Sequence, residues 1–175
     1  WVVEADEYDR AFLELTPAVA VVTSLEADHL DLYASESEIG ETFNHFLAGM
    51  TDEGTVVVSA DYDASADLVV PEGRNRLLFG LGEDVSLGAE GVSSDGLSTT
   101  FTVRHKGEAL GEATIQLPGQ HNVSNALGAI GAALSIGLEW PAIREGLASF
   151  SGVRRRFEKM GEAGGVTVIN DYANH

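Results

Sequence analysis

The chain has 175 residues, 44% of them hydrophobic, and its 28 acidic side chains outnumber 10 basic ones to give a formal charge of −18. That length and composition suit one domain with a proper core, while the charge argues against nucleic acid or an anionic membrane as the main partner. The lack of cysteine removes disulfides and thiolate chemistry, no signal-peptide pattern occurs, and no apolar run approaches the roughly 20 residues that span a bilayer, so a cytoplasmic location is the default expectation.

The chain opens on "WVVEADEYDR" without an initiator methionine and stops at "NDYANH", from which we expect a segment of a longer protein. Trp1 to Val3, "AVAVVTS" (18–24) and "TVVVSA" (55–60) are too apolar for a sheet with one wet face and are predicted as buried parallel strands. Between the last two, Ser35 and Glu38 form a capping box, and Ile39, Phe43, Phe46, Leu47 and Met50 recur at helical spacing. Strand, helix and strand in that order imply a right-handed parallel crossover. "DYDASADLV" (61–69) reads as a short helix capped by Asp61, and another strand is expected near Leu77 to Phe79.

From Val85 to Leu117 the pattern changes to alternation broken by turn residues, with Lys106-Gly107 between two candidate strands. It predicts a small antiparallel meander packed on one edge of the main sheet. Val123, Leu127, Ile130 and Leu134 then define a helix from about Asn122 to Gly137. Pro141 starts another, with Ile143, Leu147 and Phe150 on its buried side, and "GVTVIND" supplies a final strand reaching Asp171. The fold class is therefore α/β, a mostly parallel sheet flanked by helices with a small antiparallel meander.

In an open parallel sheet, ligands gather at the carboxyl ends of the strands. Glu4 and Asp6 follow the first predicted strand, and Glu26, Asp28, His29 and Asp31 follow the second. A carboxylate and an imidazole meeting there suit Mg2+, which relies on water and substrate phosphates for most of its ligands, and Mn2+ can substitute where histidine binds. The competing reading is acids that cap helices or solvate loops. "DYDASADLVVPE" (61–72) matches calcium-loop positions at Asp61, Asp63, Ser65 and Glu72, but Ala66 stands where the loop's glycine belongs, so a helix cap is the better reading.

His121, Asn122 and Asn125, preceded by Gly119, fall in the first turn of a helix, where free backbone N–H groups and short amides can meet a nucleotide; asparagine is also an ordinary cap. "RRR" (154–156) is the one dense basic run, suited to bidentate phosphate contact or to neutralising acidic neighbours. No G-x-x-x-x-G-K-[ST] phosphate loop occurs, so if ATP is used that loop is expected upstream of Trp1.

"VVEADEYDRAFLELTPAVAVVTSLEADHLDLY", "LPGQHNVSNALGAIGAAL" and "FSGVRRRFE" with "GVTVINDYANH" occur in that order, and together they resemble the central ATP-binding domain of the Mur ligases, on the alanine-adding branch. The resemblance implies that residues 1–170 are that domain without its phosphate-loop portion and that 171–175 begin the linker to a C-terminal domain. It also implies an ATP-dependent ligase of peptidoglycan precursor synthesis, joining L-alanine to UDP-N-acetylmuramate through an acyl phosphate, with Mg2+ and with N- and C-terminal domains of the same enzyme. The isolated segment is then expected to be inactive.

Carried over by motif, the resemblance gives Glu4 and His29 to the metal, and Asn122, Asn125, Arg155 and Asp171 to ATP. His121 and Arg155 fall at the reaction centre, and Tyr172 and Asn174 at the substrate. Two positions depart from the family pattern: Tyr8 where serine is more usual, and Asn174 in place of a histidine, which removes a titratable group. The alternatives are the family's murein-tripeptide recycling ligase and a non-catalytic nucleotide-binding or interaction module.

Overall fold

The computed structural model describes residues 1–5, 10–25, 33 and 35–172. Asp6, Glu26, Asp28, His29, Asp31 and Asn174, all weighed above for metal or substrate contact, lie outside the described residues.

A six-stranded sheet runs in sequence order: β1 (Val19–Val22), β2 (Thr55–Ser59), β3 (Asn75–Gly80), β4 (Leu87–Asp95), β5 (Ser98–His105) and β6 (Glu108–Ile115). The first four are parallel to one another, and β4, β5 and β6 are antiparallel. The parallel half is valine-rich because both of its faces are covered. Alternation along β2 sends Val56 and Val58 into a core with Phe12, Ile39, Phe46, Leu47 and Met50, while Val57 points into the opposite core with Phe79, Leu127 and Ile130.

Helix α1 (Glu36–Ala48) covers the first face. Ser35 caps it by accepting the Glu38 backbone N–H at 3.3 Å, and the Glu38 carboxylate accepts a bond from Arg10 at 2.8 Å. Helices α3 (Gln120–Ser135) and α4 (Trp140–Ser149, with proline in its first turn) cover the other, where Val123, Leu127 and Ile130 are wholly buried.

The structure departs from the sequence expectations at four places. Trp1–Ala5 is not a strand: Trp1, Val2 and Val3 are exposed and have no ladder partner among the described residues, and β1 is the first strand of the described sheet. The meander joins one edge of the sheet, as expected, and prolongs it, because β4 pairs in parallel with β3 through Phe79–Leu87 and Gly80–Gly88. The one-turn helix α2 (Asp63–Ala66) starts after Tyr62, and Asp61 bonds elsewhere instead of capping it. Phe150 ends α4 with 47% exposure, on the rim of a cavity and not in the core with Ile143. The last strand, β8 (Val166–Asn170), pairs only with β7 (Glu158–Ala163), in a separate hairpin turned by Gly164-Gly165 in positive φ.

Candidate nucleotide site

The polypeptide enters α3 through Gly119, whose φ of 96° lies outside the usual range of L-residues. A Cβ there would sit 2.8 Å from Cε1 of His121, so the glycine also leaves the space into which the imidazole folds. Asn122 donates from its amide to the Pro118 carbonyl at 2.7 Å and from its backbone to Gly119 at 3.1 Å. Those bonds fix the turn before the helix and commit the Asn122 amide to the backbone. Asn125, one turn further, is exposed, and its side-chain amide makes no hydrogen bond to the described residues. Gly119 supplies no side-chain cap, which leaves first-turn N–H groups for an incoming acceptor.

Beside that turn opens a cavity of about 920 Å³ between β6, α3, α4 and the segment that follows. Its volume lies in the range of about 300–1,000 Å³ usual for small-molecule sites. One wall is apolar, built from Ile115, Leu117, Ile130, Ile143 and Leu147 with Phe150 and Phe157 at the mouth. The other carries His121, Asn122, Asn125, Arg156 and Asp171. A flat apolar base with a polar edge is what such a division can hold, with its charged portion towards the arginines.

The arginine run is shaped by unusual backbone. Arg155 and Phe157 take φ of 62° and 49°, a left-handed conformation that costs a side-chain-bearing residue about 1–2 kcal/mol. Three hydrogen bonds hold it: Arg155 N–H to Glu158 Oε2 at 3.0 Å, Arg156 N–H to the Val153 carbonyl at 3.2 Å, and Tyr172 N–H to the Arg155 carbonyl at 2.7 Å. The last bond ties the end of β8 to the run and so sets Asp171 beside the cavity. Arg154, Arg155 and Arg156 are all exposed, and none forms a side-chain ion pair with a described acid, although the chain carries a charge of −18. Three guanidinium groups without a carboxylate partner among the described residues form a ready anion site.

Of the residues singled out from sequence, His121, Asn122, Asn125 and Asp171 line one cavity together. Arg156 lines it, while Arg155 contributes the backbone joint described above. Tyr172 is exposed and outside the lining, and Glu4 lies in the exposed segment Trp1–Ala5. Among the described residues no group of three or more His, Asp or Glu side chains could hold a metal ion, which includes the calcium-like run from Asp61 to Glu72. No described helix is long and apolar enough to cross a membrane. Sequence reasoning missed the apolar wall, since Ile143 and Leu147 carry the same periodicity whether they face a core or a cavity.

The Mur ligase middle domain matches residues 1–133 of the chain. Among curated proteins, the UDP-N-acetylmuramate–L-alanine ligase of Salinibacter ruber is 41% identical over 175 residues, covering 99% of this chain and 37% of the relative. The ligase of the same name from Geobacter sp. (strain M21) is 44% identical, covering 99% and 38%. Among solved structures, UDP-N-acetylmuramate–alanine ligase MurC from Thermotoga maritima superposes with a TM-score of 0.84 at 27% identity, over 98% of this chain and 38% of that one. The UDP-N-acetylmuramate:L-alanyl-gamma-D-glutamyl-meso-diaminopimelate ligase of Neisseria meningitides gives 0.74 at 30% identity, over 87% and 48%. The chain thus spans under two-fifths of the length of the curated relatives it matches.

Proposed function

The chain belongs to the Mur ligase family, and from that premise we propose that it is the ATP-binding middle domain of a ligase that joins L-alanine to UDP-N-acetylmuramate in peptidoglycan precursor synthesis. Residues 1–170 form that domain and 171–175 lead towards a further one, with the phosphate loop supplied by sequence outside this chain. The observation that carries the reading is the single cavity in which His121, Asn122, Asn125, Arg156 and Asp171 meet. The names of relatives at 41% and 44% identity favour alanine over a peptide as the acceptor.

Asn125, free to donate and accept at once, reads the adenine edge, and the apolar wall takes the ring face. Asp171 accepts from the ribose hydroxyls. Arg156, with Arg155 beside it, meets the phosphates, and His121 faces the transferring group. Tyr172 and Asn174 contact the substrate. These groups fit a nucleoside triphosphate: amide, apolar wall, carboxylate and guanidiniums follow the order of base, sugar and phosphate.

Glu4 and His29 would hold Mg2+, or Mn2+ in its place. One carboxylate and one imidazole are a sufficient protein share for an ion that draws its other ligands from water and phosphate. Its chemistry there would be neutralisation of phosphate charge and polarisation of the transferring phosphoryl group.

The test is ADP formation by the complete enzyme with UDP-N-acetylmuramate and either L-alanine or the tripeptide L-Ala-γ-D-Glu-meso-diaminopimelate. Turnover with free alanine supports the reading. Turnover with the tripeptide alone makes the recycling ligase the better assignment, and nucleotide binding without turnover makes the chain a non-catalytic module. Glu4→Ala or His29→Ala should suppress turnover in a correctly folded enzyme; unchanged rates would remove the metal assignment.

A further inference from the structure

We propose that Asp61 is a positioning residue for the nucleotide site, acting through Ser124 to lock the first turns of α3 onto the carboxyl edge of the sheet. The proposal rests on the reading of the cavity as a nucleotide site.

Asp61 stands two residues beyond β2, and its backbone N–H donates to the Oγ of the buried Ser59 at 3.2 Å. One carboxylate oxygen, Oδ1, accepts the backbone N–H of Leu81, just past β3, at 2.8 Å. The other, Oδ2, accepts the hydroxyl of Ser124 in α3 at 2.9 Å. Two strand ends and a helix are thus joined through a single carboxylate. The space for it is built in, because a Cβ on Gly80 would lie 2.6 Å from Oδ1.

Packing alone does not fix what this bracket fixes. Val123, Leu127 and Ile130 hold the body of α3 against the sheet, but apolar contact is non-directional and tolerates small rotations and slides of the helix. The bonds that fix the turn before the helix are local, from Asn122 to the Pro118 and Gly119 carbonyls, and do not tie α3 to the strand ends. Ser124 neighbours His121 at i, i+3 and directly precedes Asn125, so the bond from Ser124 to Asp61 determines how both face the cavity. The carboxylate also lies towards the positive end of the α3 dipole, which strengthens the attachment.

The discriminating variants are Ser124→Ala, which breaks the helix arm and leaves the Leu81 arm intact, and Ser124→Thr, which retains the hydroxyl. In the complete enzyme, Ser124→Ala should raise the KM for ATP about fivefold, the effect of one charge-assisted bond discounted for its exposure. The KM for UDP-N-acetylmuramate should stay within about twofold and the Tm within about 2 °C, as for other surface substitutions. Ser124→Thr should restore the KM for ATP. Asp61→Asn, whose amide can accept from Leu81 and donate to Ser124, should fall between wild type and Ser124→Ala.

Normal wild-type turnover with an unchanged KM for ATP in Ser124→Ala would overturn the bracket's role, whether or not Tm fell. A wild-type enzyme without ATP-dependent turnover would overturn the underlying reading, and the bracket's role with it.

Discussion

Helix α3 lies close to the sheet because two glycines face it, and Gly131 gives the sharper prediction. A Cβ at Gly131 would lie 2.6 Å from Val57 Cγ1, 3.3 Å from Leu77 Cδ2 and 3.4 Å from Leu87 Cδ2, all three residues being part of the core. Gly131→Ala gains about 1 kcal/mol of helix propensity and loses about 1–3 kcal/mol to overpacking, because Val57 in a central strand has nowhere to retreat. The net expectation is a loss of about 1 kcal/mol, or about 2–4 °C in Tm for a domain of this size. Gly40, mid-helix in α1 with nothing within 4 Å of its would-be Cβ, is the matched control. There the same substitution should stabilise by about 0.5–1 kcal/mol. Urea unfolding followed by circular dichroism measures both. If Gly131→Ala proved as stable as Gly40→Ala, the close approach of α3 to the sheet would be refuted, and with it the placement of the cavity beneath α3.

Three further outcomes are expected. Asn125→Ala should raise the KM for ATP about tenfold, the loss expected when a bound polar edge is left unpaired, while Asn125→Asp should discriminate against adenine by removing its donor; steady-state kinetics at saturating acceptor measures both. Arg156→Ala should weaken nucleotide binding and flatten its dependence on ionic strength, whereas Arg154→Ala should change neither by more than about twofold, as titrations at low and high salt would show. Burial of His105, with the neighbouring Lys106 charge adding to it, lowers its pKa from the ordinary 6.5. The folded state therefore resists protonating it, so the stability it contributes is complete above 6.5 and is lost as pH falls below that value. His105→Gln should show a shallower loss of Tm between pH 6.5 and the acid side than wild type does.

The parallel half of the sheet was legible because its signal is local: runs such as "TVVVS" bury both faces, and Ser35 with Glu38 marks the start of α1 within a single turn of sequence. The failures are at places where a distant partner decides. Trp1 to Val3 has the composition of a strand, but hydropathy does not say whether a neighbour will complete its ladder. Asp61 looks like a helix cap from its neighbours, yet its two acceptor bonds go to residues 20 and 63 positions away. The candidate site divides in the same way. His121, Asn122 and Asn125 were legible as a first helical turn, whereas the cavity was not, because periodicity gives Ile143 and Leu147 a buried face without saying that an open space borders it. The turn of backbone that sends Arg156, and not Arg155, to the cavity depends on two left-handed residues that composition does not mark.

A crystal structure of the complete enzyme with a non-hydrolysable ATP analogue and Mg2+ tests the central claim most directly. The adenine should lie between Asn125 and the apolar wall of α3 and α4, the ribose at Asp171 and the phosphates towards Arg156. Adenine bound elsewhere, with the cavity between β6, α3 and α4 holding only solvent, would contradict it.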